Sequence, residues 1–297
     1  MKFGIIGLGK MGAAIAWRAM QGGHEVVGFD LNQDTLKAAG QMGVEIADSI
    51  EDVAKRARIV WLMVPVGKPV DIVLEKLIPH LQKGDIIIDG GNSYFKDSEK
   101  RAELLKPYGI FFLDCGTSGG LHGKQFGFSL MVGGEKEAYD KIYSILESIA
   151  APDGFGYMGL SGAGHYVKMV HNAIEYGLLQ AYAEGFHLLK EGQYKDLDLQ
   201  EIANIWINGS IIRSWILELA SEIYAEDVDM EKVVGEIAEG GTGKWGVDEA
   251  KEQKVPMNVI QESLDIRRRS RETGGNYATK LVALLRNKFG GHEVKKK

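Results

Sequence analysis

Short apolar runs alternate with helix-length amphipathic stretches from the start of the chain to about residue 151. The apolar runs lie at residues 3–6, 26–29, 59–64, 86–88, 110–113 and 130–132. Such alternation is typical of βαβ units, whose right-handed crossovers place helices on both faces of a mostly parallel sheet. The pattern therefore predicts a doubly wound α/β domain in the first half of the chain.

The strand pattern stops after residues 151–156, whose sequence Ala-Pro-Asp-Gly-Phe-Gly is typical of a turn and of an exit from the first domain. One long helical pattern then runs from residue 162 to about residue 191. Further helical stretches lie around residues 199–223, 244–254, 256–271 and 276–288. We therefore predict an α/β domain over residues 1–160 and an all-α domain over residues 161–297.

Composition and charge exclude several classes of protein. The 297 residues carry a net charge of -6 at pH 7, which argues against a general nucleic-acid binder. No apolar run reaches the roughly 18 residues of a membrane span. The single cysteine, Cys115, excludes an internal disulfide and fits a reducing compartment. The chain also opens without a secretory signal pattern, so we predict a cytoplasmic protein.

A glycine-rich segment follows the first apolar run. Residues 7–12 match the pattern G-x-G-x-x-G between a predicted strand and a predicted helix. There the glycines allow a tight turn, close approach of a pyrophosphate and close helix packing, and the helix N-terminus attracts phosphate. The alternative is a tight turn without a ligand. We predict a dinucleotide site of Rossmann type that uses Gly7, Leu8, Gly9, Lys10, Met11 and Gly12.

The end of the second predicted strand bears on the choice of cofactor. Asp30 lies about 20 residues beyond the glycines, where a carboxylate accepts hydrogen bonds from the ribose of NAD and repels the 2′-phosphate of NADP. No arginine follows it, so we predict NAD over NADP. The alternative is that Asp30 only caps the next helix. Val64 and Pro65 are also predicted to bind the cofactor.

The predicted long helix begins with an unusual set of polar residues. At 100° per residue, four of them share one face roughly 100° wide, namely Lys168, His171, Asn172 and Glu175. Apolar residues lie opposite, so we expect the core to cover that side and the polar stripe to face a ligand; they are Val167, Met169, Val170 and Ile174. Lys168 and Glu175 are spaced to act as base and acid on different atoms of one molecule. The alternative is a solvated helix face with incidental charges.

Several segments together resemble those of the decarboxylating 6-phosphogluconate dehydrogenase family. Residues 161–176 are similar to that family's signature, and residues 88–93 and 117–120 resemble its nicotinamide loop and its substrate-binding Ser-Gly-Gly turn. Residues 241–245 resemble its substrate-domain loop, and residues 286–292 resemble the C-terminal segment that reaches into a neighbouring subunit's site. The resemblance covers essentially the whole chain, although the helical domain is much shorter than in the usual members and looks like the short, bacterial-type form.

The resemblance implies an NAD-dependent enzyme of the pentose phosphate pathway and of gluconate utilisation. It would convert 6-phospho-D-gluconate to D-ribulose 5-phosphate and CO2, without a metal. Lys168 would take the 3-hydroxyl proton and later return a proton to the ketone oxygen, and Glu175 would protonate C1 of the enediol. Tyr176, Arg267 and Arg286 would hold the phosphate, since arginine is a forked and always charged donor.

The substrate-binding residues that the resemblance implies are Asn92, Ser118, Gly119, Gly120, His171, Asn172, Tyr176, Thr242, Arg267, Arg286 and His292. It also implies that Asn92 completes the cofactor-binding set. It also implies a homodimer or homotetramer whose C-terminal tail reaches a neighbouring subunit, with a small molecule and neither nucleic acid nor membrane as partner. The chain departs from the family at two positions: Gly240 replaces a frequent phosphate-binding lysine, and Leu121 replaces an acidic residue. Both departures concern substrate affinity more than reaction type.

Two other functions fit parts of the pattern. A β-hydroxyacid dehydrogenase of the 3-hydroxyisobutyrate type shares the glycine loop, the Ser-Gly-Gly turn and a lysine–asparagine pair four apart on the helix. It lacks the phosphate arginines and an acid at the position of Glu175. A non-catalytic nucleotide-binding scaffold would also keep the fold, but such proteins typically lose the lysine at the position of Lys168.

Overall fold

The computed structural model describes residues 1–238 and 240–297 of the chain. It divides into two compact units, Met1–Met169 and Val170–Lys297. The boundary lies inside a helix, Ala163–Glu191. The predicted domain boundary at residue 160 stays a prediction.

The first unit contains an eight-stranded sheet in the order β3-β2-β1-β4-β5-β6-β7-β8. Its strands are β1 Lys2–Ile6, β2 Glu25–Phe29, β3 Glu45–Ile46, β4 Ile59–Leu62, β5 Ile86–Asp89, β6 Phe111–Ser118, β7 Phe128–Gly133 and β8 Ala150–Gly159. Every neighbouring pair is parallel except β6 and β7. The predicted doubly wound, mostly parallel sheet is therefore confirmed.

Helices cover both faces of this sheet. They are α1 Lys10–Gln21, α2 Gln33–Gln41, α3 Ile50–Arg56, α4 Lys68–Leu77, α5 Phe95–Leu105, α6 Gly123–Phe126, α7 Lys136–Lys141 and α8 Tyr143–Ile149. Successive residues of β4 enter different hydrophobic clusters: Trp61 belongs to one, and Val60 and Leu62 belong to the other. Strands that are buried on both faces read as continuous apolar runs, which is why the sequence pattern located them.

Two strands were missed by the sequence pattern. Strand β3 has only two residues, Glu45 and Ile46. Strand β8 lies where we predicted a turn, and that prediction was wrong. The register with β7 shifts between the pairs Phe128–Ala150 and Leu130–Phe155, so the turn-like residues form a bulge within the strand. Asp153 takes a positive φ of 56° there. Bulges disrupt the ladder without ending it.

The rest of the structure is helical. Helix α9 is Ala163–Glu191, and it is followed by α10 Leu199–Ile207, α11 Trp215–Glu226, α12 Gly241–Glu252, α13 Asn258–Thr273 and α14 Tyr277–Gly290. The single helix predicted over residues 199–223 is two helices. Gly209 has a φ of 134° in the break, and Ser214 caps the second helix by accepting the N–H of Leu217. The predicted all-α second domain is otherwise confirmed.

The core of the second unit surrounds Phe186, Leu217 and Leu281, each fully buried. Within the described part of the chain, none of the helices is long and apolar enough to cross a membrane.

Candidate active site

The glycine loop joins β1 to α1 and needs glycine at two positions. Gly7 has a φ of 94°, in the left-handed region that favours glycine. A Cβ on Gly12 would lie 1.9 Å from the carbonyl oxygen of Gly7, so α1 can approach the loop only without a side chain there. A Cβ on Gly9 would meet nothing within 4 Å. The loop therefore leaves its outer side open above the N-terminus of α1, where a phosphate group is stabilised.

Asp30 follows β2 and holds this loop. One carboxylate oxygen accepts the N–H of Leu8 at 2.6 Å, and the other accepts the N–H of Asn32 at 2.9 Å. The next helix is capped by Asn32, whose side chain accepts the N–H groups of Asp34 and Thr35. Capping of that helix, the alternative role for Asp30, is therefore performed by another residue. Each Asp30 oxygen keeps a second lone pair for a ribose hydroxyl.

A cavity of about 730 Å³ lies beside the glycine loop, and we call it the glycine-loop cavity. It is lined by seven of the predicted cofactor-binding residues, which are Gly7, Gly9, Met11, Asp30, Val64, Pro65 and Asn92. The other three do not line it: Leu8 and Gly12 are buried, and Lys10 is exposed at the start of α1. The size and mainly apolar lining fit a large planar ligand with a few polar groups.

The end of β6 borders this cavity. Thr117 lines it and donates its hydroxyl to the carbonyl oxygen of Gly90 at 3.3 Å. The predicted substrate turn follows, with Ser118 as the last residue of β6. Gly119 and Gly120 have φ values of 129° and 53°, which suit glycine. The turn therefore begins next to a residue that lines the cavity.

Two residues of β6, Asp114 and Gly116, fix the position of Lys168. Asp114, fully buried, accepts the N–H groups of Gly162 at 2.7 Å and His165 at 2.8 Å, and so holds the first turn of α9. A Cβ on Gly116 would lie 2.4 Å from the Cβ of Lys168, so the lysine packs directly over that glycine. Lys168 is 6% exposed. Sequence reasoning missed Asp114, although a carboxylate within an apolar strand was a visible signal.

The predicted burial of the apolar side of α9 holds only in part, since Met169 is 3% exposed as expected. Lys168 and Asn172 are 6% and 7% exposed, whereas Val167 and Ile174 are 37% and 51% exposed. The expectation that the core covers the apolar side was wrong for Val167 and Ile174. An amphipathic pattern separates two faces but does not say which one is buried. Two residues of the polar stripe are buried, so the alternative of a solvated helix face does not hold for Lys168 and Asn172.

Within the second unit, four residues form a group that we call the arginine cluster, namely Tyr176, Arg267, Arg286 and His292. The guanidinium carbon of Arg267 lies 3.3 Å from the centre of the Tyr176 ring. Arg267 is 1% exposed, and neither terminal nitrogen has a hydrogen-bond partner among the described residues. Burial lowers the pKa of Arg267 to about 10 and also lowers that of Arg286. An arginine side chain keeps its charge at neutral pH.

Other charges act on this cluster. The negative charge of Glu175 raises the pKa of both arginines, against the larger effect of burial. Burial, and then the charges of Arg286 and Arg267, lower the pKa of His292. The effect on His292 indicates a concentration of positive charge that favours an anion, and Glu175 offsets part of that charge.

Helix α12 begins beside Tyr176. The tyrosine hydroxyl donates to the carbonyl oxygen of Gly240 at 3.1 Å, and a Cβ on Gly243 would lie 2.3 Å from its ring. Thr242 lies in the first turn of this helix. Along α9, His171 and Asn172 are joined by a side-chain hydrogen bond of 3.0 Å. The predicted substrate residues of the second unit thus lie on α9, α12, α13 and α14 and in the segment after α14.

The C-terminal tail lies along its own chain. The N–H of Val234 donates to the carbonyl oxygen of Lys295 at 2.9 Å, and the N–H of Lys297 donates to that of Lys232 at 3.0 Å. Asn287 also donates its side-chain amide to the carbonyl oxygen of His292 at 2.7 Å. These bonds hold the tail within one chain, and its predicted reach into a neighbouring subunit stays a prediction.

Two family models together cover the chain. Residues 2–169 match the model of the NAD binding domain of 6-phosphogluconate dehydrogenase, and residues 164–296 match that of the 6-phosphogluconate dehydrogenase C-terminal domain. The chain is also 49% identical, over 100% of its length and 99% of the relative's, to the NAD(+)-dependent, decarboxylating 6-phosphogluconate dehydrogenase of Haloferax volcanii.

Solved structures give a consistent result. The chain superposes on the 6-phosphogluconate dehydrogenase of Plasmodium falciparum with a TM-score of 0.83 and 33% identity, over 91% of this chain and 62% of that one. The Plasmodium enzyme has been solved in complex with its cofactor NADP+ and with its substrate 6-phosphogluconate. A 3-hydroxyisobutyrate dehydrogenase of Mycobacterium tuberculosis superposes with a TM-score of 0.75 but only 20% identity. This second likeness shows the fold alone.

Proposed function

The chain belongs to the 6-phosphogluconate dehydrogenase family, and from this premise we propose that it oxidises and decarboxylates 6-phospho-D-gluconate with NAD, giving D-ribulose 5-phosphate and CO2. One observation carries the choice of substrate: neither terminal nitrogen of the buried Arg267 has a hydrogen-bond partner among the described residues. Arg267 lies over the ring of Tyr176, which is on the same helix as Lys168 and Glu175. A guanidinium in this position favours a ligand with a negatively charged, multiply accepting group such as a phosphate.

The residues of the glycine-loop cavity fit NAD. The loop and the N-terminus of α1 would hold its pyrophosphate, and Asp30 would accept hydrogen bonds from its adenosine ribose. Leu31, which follows Asp30, is 86% exposed and offers no charge to a 2′-phosphate. When bound, NAD accepts a hydride from C3 of the substrate.

Lys168 and Glu175 move the protons of the reaction. Lys168, buried beside β6, accepts the 3-hydroxyl proton. The resulting 3-keto acid loses CO2, since its carbonyl accepts the electron pair, and Lys168 returns a proton to that oxygen. Glu175 then protonates C1 of the enediol. The two residues lie seven apart on α9, about 10 Å along the axis, so they reach different atoms of one sugar acid.

The arginine cluster binds the phosphate. Arg267 and Arg286 supply forked donors, and the first turn of α12, which contains Thr242, supplies backbone N–H groups. The Tyr176 ring supports the guanidinium of Arg267. A substrate of the 3-hydroxyisobutyrate type has no phosphate and would leave Arg267 buried and unpaired, which is costly.

A direct assay tests the proposal. Purified protein is supplied with 6-phosphogluconate, gluconate or 3-hydroxyisobutyrate, each with NAD or NADP, and both cofactor reduction and CO2 are measured. We expect equal amounts of reduced NAD and CO2 with 6-phosphogluconate. Turnover of 3-hydroxyisobutyrate without CO2 would instead support the second dehydrogenase type, and NAD binding without any turnover would support a scaffold.

We further propose that the enzyme acts in the cytoplasm as a homodimer or homotetramer. Large apolar side chains of the second unit are exposed in the single chain, including Ile174 at 51%, Leu178 at 44% and Val259 at 72%. Exposed apolar groups of this kind favour contact between copies of a chain. The mass of the protein in solution, measured by light scattering, checks this assembly.

The role of the tail in such an assembly has its own test. A Lys168→Met variant is mixed with an Arg286→Met variant after unfolding and refolding them together. Within the single chain the charge of Arg286 lowers the pKa of Arg267, and a tail that stays with its own subunit would leave the mixture inactive. The family resemblance implies a tail that reaches a neighbouring subunit, so we expect activity to recover. Recovery of activity would show that the tail serves a neighbouring subunit, because one site in each mixed pair would then contain both intact residues.

A further inference from the structure

Arg101 is a charged residue to which the proposed chemistry gives no role. It lies on α5 and is 4% exposed. It is not among the residues that line the glycine-loop cavity. A buried guanidinium is costly unless its donors are satisfied, and here they connect two loops that do line the cavity.

The first connection runs to the segment after β5, residues 89–93. Arg101 Nη1 donates to Asp89 Oδ2 and to Ser93 Oγ, both at 3.3 Å. Asp89 is 1% exposed, accepts the hydroxyl of Ser93 at 2.7 Å, and accepts the N–H of Gly91 at 3.1 Å. Gly91 and Ser93, the residues on either side of Asn92, are therefore both hydrogen-bonded to the Asp89 carboxylate, which also pairs with Arg101.

The second connection runs to the segment between β4 and α4 and to the first turn of α4. Arg101 Nη2 donates to the carbonyl oxygen of Gly67 at 3.2 Å, and Nε donates to Asp71 Oδ1 at 2.8 Å. Gly67 has a φ of 82° and directly precedes α4. Val64 and Pro65 of the same segment line the cavity. One guanidinium thus bonds both segments that follow neighbouring parallel strands.

We propose that Arg101 is a positioning residue for hydride transfer, holding segments 64–67 and 89–93 in one fixed frame so that Val64, Pro65 and Asn92 keep the nicotinamide ring aligned with the substrate. This proposal rests on the proposed dehydrogenase function. The planar guanidinium supplies donors in three directions at fixed angles, and a lysine ammonium at this position cannot reproduce them. Small displacements of reacting groups have large effects on rate, so the loss should fall on the chemical step rather than on cofactor affinity.

The test is the variant Arg101→Lys, which keeps the positive charge and removes the planar set of guanidinium N–H donors. We expect kcat to fall roughly 10- to 100-fold while the Kd for NAD changes less than about threefold. We also expect the primary isotope effect with substrate deuterated at C3 to increase, because hydride transfer becomes slower than product release. A merely structural loss of folded protein would leave that isotope effect unchanged.

Arg58→Lys is the matched control. Arg58 precedes β4, and its Nη1 bonds Oδ2 of Asp85, which precedes β5, at 2.9 Å. This pair joins the same two strands at their opposite ends, so its loss should leave both kcat and the isotope effect near the wild-type values. The proposal is overturned if Arg101→Lys lowers kcat no more than Arg58→Lys does, or if its isotope effect equals that of the wild type.

Ser93→Ala covers the case in which Arg101→Lys does not fold. This variant removes the Ser93 hydroxyl that bonds Arg101 and Asp89. We expect a smaller increase in the isotope effect than in Arg101→Lys, and an unchanged isotope effect overturns the proposal. Failure of the proposed function is a separate result, because the wild-type protein would then not oxidise 6-phosphogluconate. If it oxidised another hydroxy acid with NAD, the same variants and isotope measurement would be applied to that substrate.

Discussion

The glycine-loop cavity and the arginine cluster differ in how their polar groups are satisfied without a ligand. In the first, Asp30 already accepts N–H groups from Leu8 and Asn32, and the cavity walls are mainly apolar. In the second, Arg267 is buried, and neither of its terminal nitrogens has a hydrogen-bond partner among residues 1–238 and 240–297. The polar groups of the first region are therefore paired as folded, whereas in the part of the second region that the structure describes Arg267 contacts the Tyr176 ring and is left for an anion to pair.

This difference has consequences for stability and specificity. Burial of an unpaired charge costs several kcal/mol, and that cost is recovered when a phosphate binds. The arginine cluster should therefore couple ligand binding strongly to stability, and the glycine-loop cavity should do so less. Removing a group from the cavity should change which cofactor binds, whereas removing one from the cluster should change whether the substrate binds and should also make the fold more stable.

The largest expected effect belongs to neither region. Lys168→Met should lower kcat at least about 1,000-fold, because general-base catalysis is lost. The Kd for NAD should not change, since Lys168 is not among the residues that line the glycine-loop cavity. Steady-state turnover and NAD titration measure the two quantities. Lys190→Met, at the far end of α9, is the control; undiminished turnover in Lys168→Met would refute the role of the amine.

The second prediction tests the arginine cluster directly. Arg267→Met should raise the KM for 6-phosphogluconate roughly 10- to 100-fold, the value of a charged hydrogen bond. It should also raise Tm, because an unpaired buried charge is replaced by an apolar side chain of similar length. Arg269→Met is the matched control, since Arg269 lies on the same helix with its side chain 51% exposed. A lower Tm with an unchanged KM would contradict the comparison between the two regions.

The fold was largely predictable because its signals are local. Strands such as β4 are buried on both faces and read as unbroken apolar runs. Strand β8 was missed because the bulge at Asp153 places turn residues inside it. Partners far apart in sequence decide that this segment pairs with β7, and no local pattern contains that information.

The site was predictable to different extents in its two regions. The glycine loop and Asp30 have fixed spacing in a βαβ unit, so the sequence identified them directly. The proximity of Arg267 to Tyr176 depends on how separate helices pack, and only family resemblance suggested it. The inward orientation of Lys168 and Asn172 was likewise set by tertiary packing, which overrode the expectation that apolar Val167 and Ile174 are buried.

The third prediction concerns the glycine-loop cavity. Asp30→Ala should narrow the preference for NAD over NADP about tenfold, because the carboxylate that repels a 2′-phosphate is lost. The ratio of kcat/KM for the two cofactors measures this. Asp34→Ala removes an exposed carboxylate from the next helix and serves as control. An unchanged ratio in Asp30→Ala would show that its bonds to Leu8 and Asn32 are its whole role.

The smallest expected effect is a pH dependence of the arginine cluster. Burial and the two arginines lower the pKa of His292 below its ordinary value of 6.5. The unfolded chain therefore takes up a proton at pH values where the folded chain does not, so stability should decrease as pH falls from 6.5 toward the lowered folded pKa. A bound phosphate dianion favours the protonated imidazole, so ligand should oppose this loss. We expect His292→Asn to flatten Tm against pH in that range and to reduce the extra stabilisation by 6-phosphogluconate at low pH. An equal slope of Tm against pH in wild type and variant would show that His292 does not share the electrostatic environment of the arginines. The positive charge that distinguishes the arginine cluster from the glycine-loop cavity would then come from Arg267 and Arg286 alone.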